Sequence, residues 1–248
     1  MNRQELRTLF SVTGTAVFPV IHVLDHDQTA VNIDIAMTHD CPGVFLINHD
    51  FGVEDFIPIV RSIRKQYPEV WLGLNFLAVT GKQAFPVLGA LSREGCDIDG
   101  YWADDARIDE RRELLEQSEA RETIEVRDKS GWKGLYLGGT AFKKQRPVKQ
   151  CDYLRSAQIA CQWMDVVMTS GVATGEEAGT DKVGIFREGV GECALGLASG
   201  ITPDNIDNYA SDLDVILVAT GINYADDFYN IDPDRLKKLM LKLNSLGN

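Results

Sequence analysis

Short apolar runs return along the chain, and a stretch with helical spacing follows each one. The runs cover Val17–Leu24, Val44–Asn48, Trp71–Phe76, Ile98–Ala103, Gly134–Leu137, Asp165–Thr169, Ala194–Ala198 and Val215–Ala219. They are largely apolar on both faces instead of alternating, the pattern of parallel strands covered by helices. The stretches between them keep apolar residues on a helical period: Phe56, Val60, Ile63 and Tyr67; Ala84, Val87, Leu88 and Leu91; Leu236, Leu239, Met240 and Leu243. Each stripe predicts a helix with one face on a sheet. Eight strand–helix alternations in 248 residues predict an α/β fold, a single (β/α)8 (TIM) barrel in one domain over residues 1–248. A doubly wound open sheet is the competing arrangement from the same alternation.

Two stretches depart from this rhythm. Leu9–Leu24 carries no formal charge, but Gly14 and Pro19 interrupt it and it is too short to span a bilayer. Arg3 and Arg7 precede it as in a signal peptide, yet Glu5 lies between them and no small-residue cleavage site follows. It reads as a lead-in helix and first strand, in a cytoplasmic protein without membrane insertion. Asp104–Asp128 is dense in charge and predicts a solvated outer helix laced by i,i+4 ion pairs, with Asp104 and Asp105 at the end of the fourth strand.

Composition narrows the partners. Lys and Arg total 25 against 37 Asp and Glu, a formal charge of -12, which repels a polyphosphate backbone and excludes nucleic acid as a partner. A small phosphate is still admissible, because backbone N–H groups bind anions without help from net charge. The five cysteines (41, 96, 151, 161 and 193) form no C-x-x-C pair, which argues against a disulfide framework or structural zinc. Nothing in the sequence names a cofactor, and a homo-oligomer is compatible with all of these features.

A barrel gathers its chemistry at the carboxyl ends of its strands. After the seventh strand comes Ser199-Gly200-Ile201-Thr202-Pro203-Asp204, in which Thr202 suits a helix N-cap and Pro203 the first helical turn. The eighth strand runs into Thr220-Gly221. Two such adjacent loops predict a phosphate site built from Ser199, Gly200, Thr220 and Gly221, with a helix N-terminus behind it; the alternative is a pair of tight turns. The sixth strand ends in Thr169-Ser170-Gly171-Val172-Ala173-Thr174-Gly175, the composition of a binding loop to which Ser170 and Gly171 belong. Lys143, Lys144 and Arg146 follow the fifth strand, where a cation can clamp a phosphate or carboxylate.

All four histidines lie in the first fifty residues. His22 lies in the first strand, Asp25, His26 and Asp27 follow it, and His49-Asp50 follow the second. His22 and Asp50 are candidates for acid–base work, with Asn48 and Asn75 as polar neighbours. No HxH or HExxH spacing supports a metal site.

The last third, VVMTSGVATGEEA, LGLASGITPDNIDNYASDLDVILVATGI and DFYNIDPDRLKKLM, resembles the BtpA family, barrel proteins linked to photosystem I biogenesis, with LYLGGTAFKKQR and PVIHV compatible. The resemblance implies a (β/α)8 fold and leaves the activity open. SGITPDN and DPDRLKKLM are also similar to phosphoribosylanthranilate isomerase, whose corresponding loops hold substrate phosphate. That enzyme's strand-one cysteine and post-strand-six aspartate have no counterparts here, where His22 and Thr169-Ser170 stand. The phosphate cradle carries over to Ser199, Gly200, Thr220 and Gly221; the isomerase chemistry does not. Three expectations follow: an enzyme on a phosphorylated sugar or nucleotide-like metabolite, a non-catalytic biogenesis factor that keeps the barrel, or a metal-dependent hydrolase using the His and Asp residues of the first two loops.

Overall fold

The computed structural model describes residues 1–143, 145–171 and 178–246. Eight parallel strands close into a barrel in sequence order: β1 (Ala16–His22), β2 (Val44–Ile47), β3 (Leu72–Asn75), β4 (Gly100–Ala103), β5 (Leu135–Gly139), β6 (Val166–Thr169), β7 (Leu195–Ala198) and β8 (Val215–Val218). β8 closes on β1 through the register Ala16↔Val215 to Pro19↔Val218. The open-sheet alternative is thereby excluded. Helices α1 (Arg3–Phe10), α2 (His26–Thr38), α3 (Val53–Gln66), α4 (Gly81–Arg93), α5 (Ser118–Ser130), α6 (Tyr153–Ala160), α7 (Thr180–Val190) and α8 (Pro233–Ser245) complete the described framework. The lead-in helix α1 is fixed by a capping box in which Asn2 and Glu5 satisfy each other's backbone N–H.

The strands are apolar on both faces because both faces are buried. Phe18, Phe45, Trp102, Met168 and Leu217 fill the barrel interior, while residues such as Val17, Leu46, Tyr101 and Ile216 pack outward against the helices. Interior volume is matched large to small: a side chain at Gly73 would collide with the Phe45 ring and one at Gly100 with the Trp71 ring.

The amino end of the barrel is held by a repeated clamp. Asp99, Asp165 and Asp214 each stand one residue before an even-numbered strand. Each Oδ2 accepts a backbone N–H at the start of the preceding strand (Leu72 2.8 Å, Tyr136 2.8 Å, Leu195 3.0 Å). The same oxygen accepts an arginine from the preceding helix (Arg64 2.6 Å, Arg127 2.6 Å, Arg187 2.9 Å). Arg3 of α1 adds a second guanidinium to Asp214 at 2.7 Å.

Two expectations are corrected. The charged stretch is not one outer helix: residues 104–113 are irregular, a 3-10 turn covers Leu114–Glu116, and α5 starts only at Ser118. Asp105 and Asp109 bond the backbone N–H groups of Arg107 and Arg111 two residues on, which favours turns over helix. Of its ion pairs, only Glu125–Lys129 has i,i+4 spacing, among the described residues. Nor does Thr202-Pro203 start an α-helix; only a 3-10 turn over Ile206–Asn208 follows. Asn205 braces the loop, its Oδ1 accepting from the Thr202 N–H at 2.8 Å and its Nδ2 donating to the Gly200 carbonyl at 2.7 Å. A helix dipole is therefore absent behind Ser199 and Gly200, and an anion there must be held by local N–H and O–H groups.

Candidate functional site at the barrel mouth

The loops after β7 and β8 form one wall of a cleft at the carboxyl end of the barrel, with Ser199, Gly200, Thr220 and Gly221 on it. His22, His49, Asp104 and Lys143 face that wall from the ends of β1, β2, β4 and β5. The floor is apolar, made by Val20, Ile47, Trp102 and Leu217. Strand alternation explains who reaches the cavity. His22, His49 and Asp104 stand two residues beyond Val20, Ile47 and Trp102, so they continue the inward-facing row.

The wall is tightly determined. Ser199 has φ 121° and Gly200 φ 73°, the left-handed side of backbone space. For a non-glycine residue this costs about 1–3 kcal/mol and persists only where the surroundings impose it. The Ser199 Oγ accepts the Gly171 N–H at 3.1 Å, which ties the β7 loop to the β6 loop. Gly221 is required by close approach: any side chain there would collide with the Ile201 carbonyl oxygen. The two loops thus meet backbone to backbone.

His22 is almost wholly buried, at 4% exposure. Its Nδ1 lies 2.7 Å from the Phe228 carbonyl oxygen, and its ring stacks on Phe228 with centroids 3.8 Å apart. Burial pushes its pKa down to about 4, opposed by the Phe228 carbonyl and reinforced by His49 and Lys143. The ring is therefore neutral at pH 7. A neutral ring bonded to a carbonyl carries its proton on Nδ1, which leaves the Nε2 lone pair as an acceptor.

The other candidates separate. Asp50 accepts a hydrogen bond from the Tyr229 hydroxyl at 2.9 Å and is not on the cavity wall. Arg146 points away from the mouth into a bidentate pair with buried Glu110, at 2.8 and 2.6 Å. Asn48 faces outward and ties loops, donating to the Phe51 carbonyl at 2.7 Å and accepting the Leu77 N–H at 3.1 Å. Asn75 is buried, and its Nδ2 donates to the Trp102 carbonyl at 2.9 Å and reaches Asp104 Oδ1 at 3.5 Å. Ser170 is fully buried; its Oγ accepts the Lys143 N–H at 2.9 Å and donates to the Gly171 carbonyl at 2.8 Å. Of the sixth-strand loop, Val172–Gly175 lie outside the described residues, as does Lys144.

Four residues join the site that the sequence did not single out as members: His49, Asp104, Phe228 and Lys182. For His49 and Asp104 the signal was present in the period-two continuation of β2 and β4. Phe228 arrives over His22 from the long connection between β8 and α8, and no local pattern announces it. Lys182 is set behind the β5 and β6 loops, and its Nζ donates to the Ala141 and Ser170 carbonyls at 2.6 and 2.7 Å.

Among the described residues no three His, Cys, Asp or Glu side chains converge as metal ligands, and no helix is long and apolar enough to cross a membrane. All five cysteines are free thiols. The arrangement offers a neutral imidazole acceptor, a carboxylate and an ammonium opposite two tight loop ends.

No protein-family model matches the chain, and no curated protein matches its sequence. Solved structures do. The tryptophan synthase alpha chain of Legionella pneumophila subsp. pneumophila aligns over 100% of this chain and 99% of its own, with TM-score 0.67 and 15% identity. The (S)-3-O-geranylgeranylglyceryl phosphate synthase of Thermoplasma acidophilum, in complex with substrate sn-glycerol-1-phosphate, aligns over 99% of both chains with TM-score 0.63 and 13% identity. The phosphoribosyl anthranilate isomerase of Thermus thermophilus covers 94% of this chain and 100% of its own, with TM-score 0.62 and 12% identity. At these identities the likeness is one of fold, and the fold it shows is the (β/α)8 barrel.

Proposed function

We propose that this chain is a single-domain, cytoplasmic enzyme acting on a phosphorylated small metabolite, a sugar phosphate or nucleotide-like compound. The observation that carries the reading is the mouth cleft, where the β7 and β8 loop ends face His22, Asp104 and Lys143. Ser199, Gly200, Thr220 and Gly221 hold the phosphate through backbone N–H groups and hydroxyls. His22 Nε2 accepts a hydrogen bond or proton from the substrate, and the Lys143 ammonium faces developing negative charge. A mouth cleft lined by titratable groups favours this over a non-catalytic factor. The BtpA-like last third is consistent with a barrel of this type and adds no reaction. The sn-glycerol-1-phosphate bound by the geranylgeranylglyceryl phosphate synthase supports a phosphorylated ligand for this architecture.

A thermal-shift screen with inorganic phosphate, sugar phosphates, phosphoribosyl compounds and nucleotides tests the reading. A ligand at about 100 times its dissociation constant adds about 2.7 kcal/mol to the unfolding free energy. Ser199→Asp, which sets a carboxylate against the anion, is expected to abolish the shift while circular dichroism stays native. If no phosphorylated compound stabilises the wild type, or if Ser199→Asp responds equally, the reading fails.

A further inference from the structure

Lys182 is a half-buried cation to which the mouth chemistry above assigns no role. It sits on α7, and among the described residues no carboxylate lies within ion-pair distance of it. Its charge is met instead by two backbone carbonyls, Ala141 at 2.6 Å and Ser170 at 2.7 Å. Two aromatic rings complete the shell, Tyr153 at 5.1 Å and Phe186 at 5.9 Å from Nζ to centroid. Burial lowers the lysine's pKa to about 8.

The two carbonyls belong to different loops, one after β5 and one after β6. Ala141 has φ 48°, a left-handed conformation unusual for alanine. From Ser170 the bonding continues without a break. Its Oγ takes the Lys143 N–H at 2.9 Å, and the next N–H, of Gly171, reaches Ser199 Oγ at 3.1 Å. One ammonium thus anchors a chain of hydrogen bonds ending on the backbone of Lys143 and the hydroxyl of Ser199.

We propose that Lys182 is a positioning residue for the anion site: its ammonium pins the β5 and β6 loop carbonyls and thereby sets where Lys143 and Ser199 stand. The inference rests on the phosphate reading of that site for its functional consequence. Its structural part is independent of any ligand. Charge-assisted bonds to carbonyls are strong ones, and methionine keeps the stem and volume of lysine while removing them.

The test compares wild type, Lys182→Met and Lys182→Arg by amide hydrogen exchange without ligand and by titration with inorganic phosphate. Lys182→Met is expected to speed exchange at the Lys143 and Gly171 amides, leave the β2 and β8 amides unchanged, and weaken phosphate binding about tenfold. Lys182→Arg, which retains charge and donors, is expected to recover most of both. Unchanged exchange at Lys143 and Gly171 in folded Lys182→Met, or exchange raised uniformly around the barrel, overturns the proposal. A wild type that ignores phosphate overturns the phosphate reading instead, while the exchange result still decides whether Lys182 holds the loops.

Discussion

His22 should make the stability of this protein depend on pH in a way that can be worked out from its surroundings. Folding buries the ring, and its pKa falls from 6.5 to about 4. Between those values the unfolded chain binds a proton that the folded protein refuses, so acid favours unfolding. The contribution is fully present above pH 6.5 and is lost as pH falls toward 4. At about 1.4 kcal/mol per pH unit, the total loss is about 3 kcal/mol, of which about 2 kcal/mol is gone by pH 5. The assay is urea unfolding at steps from pH 7.5 to 4.5 on wild type and His22→Gln. Glutamine cannot titrate, so the variant is expected to be weaker at pH 7.5, having lost the Phe228 stack, but to fall less steeply in acid. The difference between the two curves should shrink by about 2 kcal/mol between pH 7.5 and 5. Parallel curves would refute the reasoning, because they would mean that His22 is as easily protonated in the folded protein as in the unfolded chain.

Two further substitutions separate the scaffold from the site. Asp214 is fully buried beneath Arg3 and Arg187, so Asp214→Asn leaves guanidinium charge uncompensated; it should cost about 3 kcal/mol in urea unfolding at pH 7 while phosphate affinity in the folded fraction is unchanged. Arg146→Ala removes the partner of buried Glu110. Because Arg146 is 41% exposed at its side chain, solvent screening limits the expected loss to about 1–2 kcal/mol, again without effect on phosphate binding. A loss of phosphate binding at native stability would put Arg146 back at the ligand.

The barrel was legible because its signal is distributed. Runs such as Val44–Asn48 and Val215–Ala219 must be apolar on both faces to stand between a filled interior and a shell of helices, and every strand repeats the statement. The site was less legible because its parts answer to single contacts. Thr202-Pro203-Asp204 carries the local chemistry of a helix start, and Asn205 even takes the Thr202 N–H as a capping residue does, yet only a 3-10 turn over Ile206–Asn208 follows. Arg146 looks like a ligand cation from its place after β5, and only the long-range approach of Glu110 shows where its charge goes. Asp104 was in view as the last word of β4 but was read as part of a charged helix; the inward parity of Trp102 would have placed it in the cavity.

The two ends of the barrel are built on opposite principles, and this is the strongest reason to look for function at the mouth. At the amino end, carboxylates at the starts of even strands are matched by helix arginines and strand N–H groups, so charge and backbone are satisfied together. At the carboxyl end the matching is incomplete by design of the chain. Among the described residues a lysine is held by carbonyls in place of carboxylates; a histidine is kept neutral, and Ala141 and Ser199 occupy backbone conformations that L-residues avoid. None of these is needed to close the barrel, since strand pairing and the buried core already do that. Strained backbone at Ala141 and Ser199, beside a histidine kept neutral, is the kind of local cost that a well-packed barrel can carry where a site is to be held in shape.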